Sequence, residues 1–303
     1  MDGEAIALVC LALAKWVTYL GLVGLTGAVA ARGLLIRCGP TDSDKATERA
    51  LLLFATYAGG VLILAAVARL YAQTYSVFGL DGPVTMELLH VIGVESRWGS
   101  RWQPQAGVAL LAGAAAIAAR WQAPLGWRII IVSTVLLWMT LPLTGHAVSF
   151  GTYVPWFFQA VHGLAAGLWT GTLVAILVVA SPLVDSVDGN ERFANLVRRF
   201  SPLAMAAVAT LFVTGGLTTW YYVDTLGQLW STTYGRTLVL KVGLVVATGA
   251  VGVYNWRRLT PRLGTVAGTG ALRWSICVEV TFALMILGAT AVLVHLAMPD
   301  ELR

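Results

Sequence analysis

Four histidines are the residues of this sequence most able to do chemistry. His146 and His162 stand on either side of one short apolar turn, His295 is close to the end of the last hydrophobic segment, and His90 belongs to a connecting segment. Imidazole is costly to bury in lipid and is a good ligand for soft and borderline metals. Once the hydrophobic segments are oriented, all four histidines fall on one side of the membrane. The pattern therefore predicts a metal site that faces the outside, or a haem site.

The elements that must position these histidines are membrane-spanning helices. Of the 303 residues, 58% are hydrophobic and only 12% are charged, which excludes a soluble domain. In such a protein a formal charge of +5 indicates basic cytoplasmic loops rather than nucleic-acid binding. The N-terminus is acidic and lacks a basic n-region, so the first span is expected to be a permanent helix. The three cysteines form no CxxC pair and are expected to be packing residues.

The apolar runs predict an all-α protein, a single bundle of eight transmembrane helices over residues 1–303. The expected spans are 5–31, 49–71, 105–120, 127–143, 153–180, 203–222, 237–257 and 272–297. The third has the weakest signal, because its charge-free stretch is about two-thirds of the ~20 residues that a span needs. In the fifth span, Gly163, Gly167 and Gly171 repeat every four residues, which predicts a close approach of a neighbouring helix.

Basic residues orient the bundle. Alternate loops hold Arg32, Arg37, Lys45, Arg49, Arg120, Arg128, Arg192, Arg198, Arg199, Arg257, Arg258, Arg262 and Arg273. The intervening loops are poor in basic residues, with Arg69 among the few. By the positive-inside rule the first set is cytoplasmic and both termini lie outside. Removing the third span would destroy this alternation, so eight spans are expected.

His146 and His162 form the centre of the expected metal site. With the fourth span running outward and the fifth inward, His146 lies at the outer boundary. His162 lies about 13 Å into the fifth span, at about 1.5 Å per residue. The short connection makes the two spans antiparallel neighbours, so the rings converge if both face the bundle interior. The alternatives are hydrogen bonding to neighbouring helices and axial ligation of a haem.

Two further pairs of residues could bind a soft metal. His295 and Met298 are spaced i, i+3 at the outer end of the last span, and imidazole with thioether favours Cu(I) over hard ions. Met86 and His90 are spaced i, i+4 in an outer segment, PVTMELLHVIGVE, which is too short to span and is expected to lie as an interfacial or re-entrant helix. This second pair is either an entrance that captures metal or an interfacial anchor.

Three charged residues within the spans need partners, because an isolated charge in lipid is costly. Lys15 in the first span and Glu279 in the last lie at similar expected depths, which favours an ion pair between them. Lys241, near the outer end of the seventh span, is expected to pair with Asp224. The functional alternative is that Glu279 relays a proton or a metal ion.

The second half of the sequence resembles a known family. From Leu141 onward it contains TGHA and, about sixteen residues later, HGLAAGLWTG, which is similar to the histidine–histidine–tryptophan pattern of the copper-resistance D (CopD) family. RRFSPLAMAAVATLFVTGGLTTW, TTYGRTLVLKVGLVVATGAVGVYNWRRL and WSICVEVTFALMILGATAVLVHLAMP resemble the family's core region and last helix in order and spacing. The CopD-like region covers about 141–299, whereas residues 1–140 show only family-like hydropathy.

The resemblance implies an inner-membrane protein that handles copper, as Cu(I) or Cu(II), and imports or moves it from the periplasmic side. It also implies a periplasmic partner of the CopC type, which would be a separate protein because no such domain is fused here. Trp169 stands in the family motif, and its expected role is to shape the site. The alternatives are a b-type haem membrane cytochrome that transfers electrons and a copper-binding scaffold that does not transport.

An enzyme is not expected. The sequence contains no nucleotide-binding loop, Ser/His/Asp set, pair of catalytic carboxylates or CxxC metal motif. Its GxxxxG runs are not followed by Lys and Ser or Thr, so they carry no phosphate-binding signal. These observations argue against an ATP-driven pump.

Overall fold

The protein folds into a bundle of helices. The computed structural model describes residues 3–37, 44–80, 82–145, 152–184, 189–223 and 225–297, and these contain no strand. Its α-helices are α1 Gly3–Ile36, α2 Asp44–Phe78, α3 Met86–His90, α4 Arg97–Ala118, α5 Ala123–Thr140, α6 Val154–Val184, α7 Gly189–Tyr222, α8 Gln228–Ser231, α9 Thr233–Tyr254 and α10 Val266–Leu293. Shorter helical turns are π-helical at Val91–Glu95 and Asn255–Leu259 and 3₁₀ at Leu141–Thr144 and Thr260–Arg262. The predicted all-helical class is confirmed.

Seven of the described helical segments are long and apolar enough to cross a membrane. They are Gly3–Ile36, Lys45–Phe78, Ala123–Thr144, Val154–Ala180, Gly189–Tyr222, Thr233–Arg262 and Val266–Leu293. The predicted third span corresponds to α4, which is 22 residues long but begins with the polar sequence RWGSRWQPQ. The multi-pass character is confirmed, whereas the count of eight spans stays a prediction.

α4 runs antiparallel to α2 along its whole length. Gly59 of α2 faces Gly113 of α4 so closely that a Cβ at Gly59 would lie 2.8 Å from the Gly113 Cα. Nearer the other end, the indole of Trp102 donates to the Ala66 carbonyl at 3.1 Å. The same helix packs against α5, since a Cβ at Gly126 would lie 2.4 Å from the Cβ of Ala119. These contacts place α4 between α2 and α5.

The glycine face of α6 is filled by two neighbouring helices. A Cβ at Gly163 or Gly167 would lie within 3 Å of the Trp138 ring of α5. A Cβ at Gly171 would lie 2.2 Å from the Val23 carbonyl oxygen of α1. Because no larger residue fits in such contacts, the close approach predicted for these three glycines is confirmed.

Three helices begin with the same local arrangement, a capping hydroxyl followed three residues later by glycine. The side-chain oxygens of Ser96, Thr232 and Thr265 accept hydrogen bonds from the backbone N–H groups of Gly99, Gly235 and Gly268 at 2.9, 2.9 and 3.1 Å. A Cβ at any of the three glycines would lie within 2.4 Å of a preceding carbonyl oxygen. Glycine is required here because the preceding chain crosses the first turn of the helix.

Candidate metal site at one end of the bundle

His162 lies on α6 and faces α7. Its Nδ1 atom is 2.9 Å from the Thr214 hydroxyl oxygen, and that hydroxyl donates its single proton to the Thr210 carbonyl oxygen at 2.6 Å. Thr214 therefore accepts a hydrogen bond from Nδ1–H, which assigns the proton of the neutral ring to Nδ1. In that tautomer Nε2 carries the lone pair, which is the form of imidazole that can bind a metal ion. A further hydrogen bond joins the ring to the backbone of Leu211.

The sequence allows this contact because the neighbouring residue of α7 is small. A Cβ at Gly215 would lie 3.3 Å from Cε1 of His162, so a larger side chain there would compete with the imidazole for space. Thr214 and Gly215 together give α7 a hydroxyl acceptor and a gap at the same level.

A second polar contact lies one turn farther out along α6. Gln159 donates to the Tyr222 hydroxyl at 2.8 Å, and the Tyr222 ring stacks on Tyr234 with 6.3 Å between centroids. Gln159 precedes His162 by three residues, about 4.5 Å along the helix axis. The Tyr222–Tyr234 pair therefore marks the rim of the bundle end that lies nearest to His162.

His295 lies at this rim. It follows the end of α10, where its backbone N–H donates to the Val292 carbonyl at 3.0 Å, and its side chain is half-buried. The flanking Leu293 and Leu296 pack in one apolar cluster with Tyr222 and Tyr234. His295 thus lies at the same end of the bundle as His162, and His162 is about one helical turn deeper.

The chain that leads to His146 is fixed by a group of buried polar side chains. Arg69 donates to the Thr144 hydroxyl at 2.7 Å and to the Gln105 side-chain oxygen at 2.6 Å. Gln105 in turn donates to the Thr140 carbonyl at 2.7 Å. The predicted position of Arg69 in an outer loop is wrong, because α2 continues to Phe78 and buries this residue.

The last described residue before His146 lies beside the residue before His295. A Cβ at Gly145 would lie 3.6 Å from Cγ1 of Val294, an ordinary van der Waals distance. His146 itself and Met298 lie outside the described residues, so their roles as ligands stay predictions. Within the described ranges, no group of three or more His, Cys, Asp or Glu side chains could hold a metal ion.

Met86 and His90 lie on the protein surface. Met86 is 83% exposed, and Nδ1 of the exposed His90 is 3.3 Å from the Glu95 carboxylate. Their helix, α3, packs against α2 and the π-helical turn that follows it. Trp169, the predicted site-shaping residue, is half-buried and packs against the main apolar core two turns beyond His162. The roles of Met86, His90 and Trp169 stay predictions.

The expected ion pair between Lys15 and Glu279 is not among the ion pairs of the described residues. Glu279 instead accepts a hydrogen bond from the Asn255 side-chain amide, and Ser275 donates to the Asn255 side-chain oxygen at 2.5 Å. Lys15 is buried with its ammonium 5.9 Å from the Tyr19 ring centroid. The indole of Trp16, the next residue, donates to the Leu284 carbonyl, which lies five residues beyond Glu279, or about 7.5 Å along α10.

Lys241 is half-buried on α9, and its expected partner Asp224 lies outside the described residues. Three polar residues that organise the site and the charges were missed in the sequence, namely Thr214, Asn255 and Gln105. Asn255 had a usable signal, since an amide stands alone among apolar residues near the end of a predicted span. Thr214 had none, because threonines recur throughout this stretch.

Comparisons with known proteins cover most of the chain. Residues 5–154 match the family described as "Copper resistance protein D-like, N-terminal domain", and residues 194–293 match "Copper resistance protein D". The curated "Copper transport protein CutJ" of Bacillus subtilis (strain 168) is 27% identical over 214 residues, which cover 68% of this chain and 38% of that relative. The chain thus spans well under half of that relative's length. No solved structure matches. Two family matches on successive parts of one helical membrane chain lead to one conclusion: the chain belongs to the copper resistance protein D family.

Proposed function

We propose that this protein binds copper at the outer end of its bundle and passes it into or across the membrane. His162 and His146 are the first ligands, and His295 and Met298 complete the site. The observation that carries the proposal is the hydrogen bond from Nδ1 of His162 to Thr214, which leaves the lone pair of the ring on Nε2.

The proposed ligands come from three separate parts of the chain. His162 belongs to α6, His146 follows the 3₁₀ turn Leu141–Thr144, and His295 with Met298 follows α10. The contact between Gly145 and Val294 supports the proximity of the last two parts. Imidazole binds copper in both oxidation states, and a thioether ligand favours Cu(I). The name of the relative, a copper transport protein, agrees with copper as the substrate.

We further propose that α4 is a third crossing helix, which gives eight spans with both termini outside. Its Gln105 lies level with Arg69 of α2 and Thr140 of α5 at the outer end. At its other end Ala119 lines a cavity with Arg32 of α1. α4 therefore extends from the end of the bundle that contains Arg69 to the end that contains Arg32. A helix of this extent crosses the membrane beside α2 and α5.

Cysteine labelling tests this topology. Single cysteines at Gly82 and at Trp121, in a background without Cys10, Cys38 and Cys277, flank α4 on its two sides. With eight spans, a membrane-impermeant thiol reagent labels the cysteine at 82 in intact cells and the one at 121 only after the membrane is opened. Equal labelling at both positions would show that α4 does not cross the membrane. The reverse pattern would show that α4 crosses in the opposite direction, with the termini inside.

Delivery from a periplasmic copper-binding protein of the CopC type follows from this orientation, with the protein in the inner membrane. Copper uptake into proteoliposomes tests the transport proposal, with a copper-sensitive dye inside. His162→Ala is expected to abolish uptake, whereas Met205→Ala, on the exposed face of α7, is expected to retain it.

Equal uptake by the wild type and His162→Ala would contradict the proposal. Copper binding without uptake would instead indicate a scaffold. A Soret band after expression in a haem-replete host would favour the cytochrome alternative.

A further inference from the structure

At the end of the bundle opposite the histidines, a cavity of about 910 Å³ opens between α1, α2 and the α4–α5 turn. Four cations, Arg32, Lys45, Arg49 and Arg120, and one carboxylate, Glu48, line it, so its walls carry a net charge of +3. The volume is within the range of pockets that bind drug-sized ligands. No part of the copper proposal uses this cavity.

The only acidic side chain among these lining residues is already engaged. The Glu48 carboxylate accepts from Nε of Arg32 at 3.0 Å and from the Trp127 indole at 2.7 Å, and Arg32 lies over the Trp127 ring at 4.8 Å. This contact neutralises Arg32. Lys45, Arg49 and Arg120 have no ion-pair partner in the part of the chain that the structure describes.

The cavity offers charge through its cations alone. Thr47 lines the cavity, but its hydroxyl oxygen is enclosed by protein. An anion with hydrogen-bonding oxygens fits these groups.

The remaining walls are apolar. Leu35, Ile36, Leu52 and Leu53 line the same cavity, and Ile36 is 63% exposed at the end of α1. A soluble phosphate would contact the cations but leave these walls without a partner. A phospholipid places its phosphate among the cations and its acyl chains along the leucines, at the depth where helices leave the bilayer.

We propose that this cavity binds the headgroup of an anionic phospholipid, such as phosphatidylglycerol, from the cytoplasmic leaflet. The lipid phosphate pairs with Lys45, Arg49 and Arg120. The bound lipid joins the inner ends of α1, α2 and α4. The side of the membrane follows from the orientation proposed above, whereas the choice of an anionic lipid rests on the cavity alone.

Thermal unfolding of the purified full chain in neutral detergent tests the proposal. Phosphatidylglycerol is expected to raise the unfolding temperature in a saturable manner, and phosphatidylcholine and inorganic phosphate are not. Native mass spectrometry should show a retained phosphatidylglycerol molecule. Equal stabilisation by inorganic phosphate would show that the cavity binds a soluble anion and not a lipid. Equal stabilisation by phosphatidylcholine would show that the cavity does not recognise the negative charge of the headgroup.

Charge-removing variants locate the effect. Arg49→Gln/Arg120→Gln is expected to weaken phosphatidylglycerol binding at least about tenfold, since each cation near an anionic lipid contributes about 1 kcal/mol. The control, Arg198→Gln/Arg199→Gln, removes two exposed arginines from α7 and is expected to keep the wild-type affinity. An equal loss in both double variants would reject the cavity as the site. Both arginines of the test pair are exposed, so folding is retained, and the single Arg120→Gln variant provides a second, smaller step.

Discussion

The helices of the N-terminal and C-terminal parts are held in different ways. In the most apolar stretch of each span, 50% of α1 and 56% of α6 are buried, against 17% of α7 and 6% of α9. The N-terminal helices meet through glycines and an indole that donates to Thr26. The first half of α7 is also packed in the main apolar core, through Phe193, Leu196 and Phe200. Its second half and the end of α9 meet their neighbours through polar contacts, namely the His162–Thr214 pair and the Asn255–Glu279 pair.

This difference indicates which helices form a rigid frame and which contribute the polar groups of the candidate site. In a membrane, helices associate through close packing and hydrogen bonds, because lipid is as apolar as the side chains. The closely packed part supplies a fixed frame that includes α6 and therefore the backbone of His162. The loosely packed part contributes the polar partners, so the candidate site lies on the boundary between the two.

The largest effect is expected for an added methyl group within the N-terminal frame. Gly171→Ala would place a Cβ 2.2 Å from the Val23 carbonyl oxygen, so the backbones of α1 and α6 must separate. Overpacking of this kind costs about 1–3 kcal/mol. Thermal unfolding of the purified protein should show a clear loss of stability. The control, Gly249→Ala on α9, meets nothing within 4 Å and should be neutral or slightly stabilising. Similar losses of stability for both variants would show that the N-terminal helices are not packed more closely than α9.

A loss of about the same size is expected when the polar contact that joins the end of α9 to α10 is broken on one side. Asn255→Leu leaves the buried Glu279 without its amide donor, which costs about 1–3 kcal/mol. Asn255→Leu/Glu279→Leu removes both partners and should recover much of the stability. If the double variant is as unstable as the sum of two single changes, the contact is not what joins these helices.

A change confined to the site is expected for Thr214→Val. The valine keeps the shape of threonine but cannot accept from Nδ1 of His162, so the ring loses its fixed tautomer and orientation. Loss of such a partner typically weakens metal binding 10- to 100-fold. Copper affinity should fall while the unfolding temperature barely changes. Thr219→Val, on the same helix, is the control. If it lowers copper affinity as much as Thr214→Val does, the hydrogen bond from His162 to Thr214 has no specific role in copper binding.

The smallest effect is expected at the surface pair of His90 and Glu95. Both side chains are more than three-fifths exposed, and exposed pairs contribute about 0–1 kcal/mol. Glu95→Gln should leave stability within that limit and copper affinity unchanged. A marked loss of copper affinity would instead place this surface in the binding site.

The sequence predicted features that depend on one helix at a time. Hydropathy located the span of α6 to within a residue at its start, and the spacing of Gly163, Gly167 and Gly171 predicted a close contact. The contacts of Glu279 and Arg69 were not predictable in this way. Asn255 contacts Glu279 from a π-helical turn at the end of α9. Arg69 can be buried because Gln105 and Thr144 accept hydrogen bonds from its guanidinium. Such partners depend on how each helix is rotated about its axis, which hydropathy does not encode.

Copper titration of the purified protein under controlled redox conditions tests the central claim most directly. The account predicts stoichiometric binding by the wild type and by His90→Ala, whose imidazole lies at the exposed surface. It predicts that His162→Ala, and more completely His146→Ala/His162→Ala, loses this binding. Stoichiometric copper binding that survives the double change would contradict the proposed site.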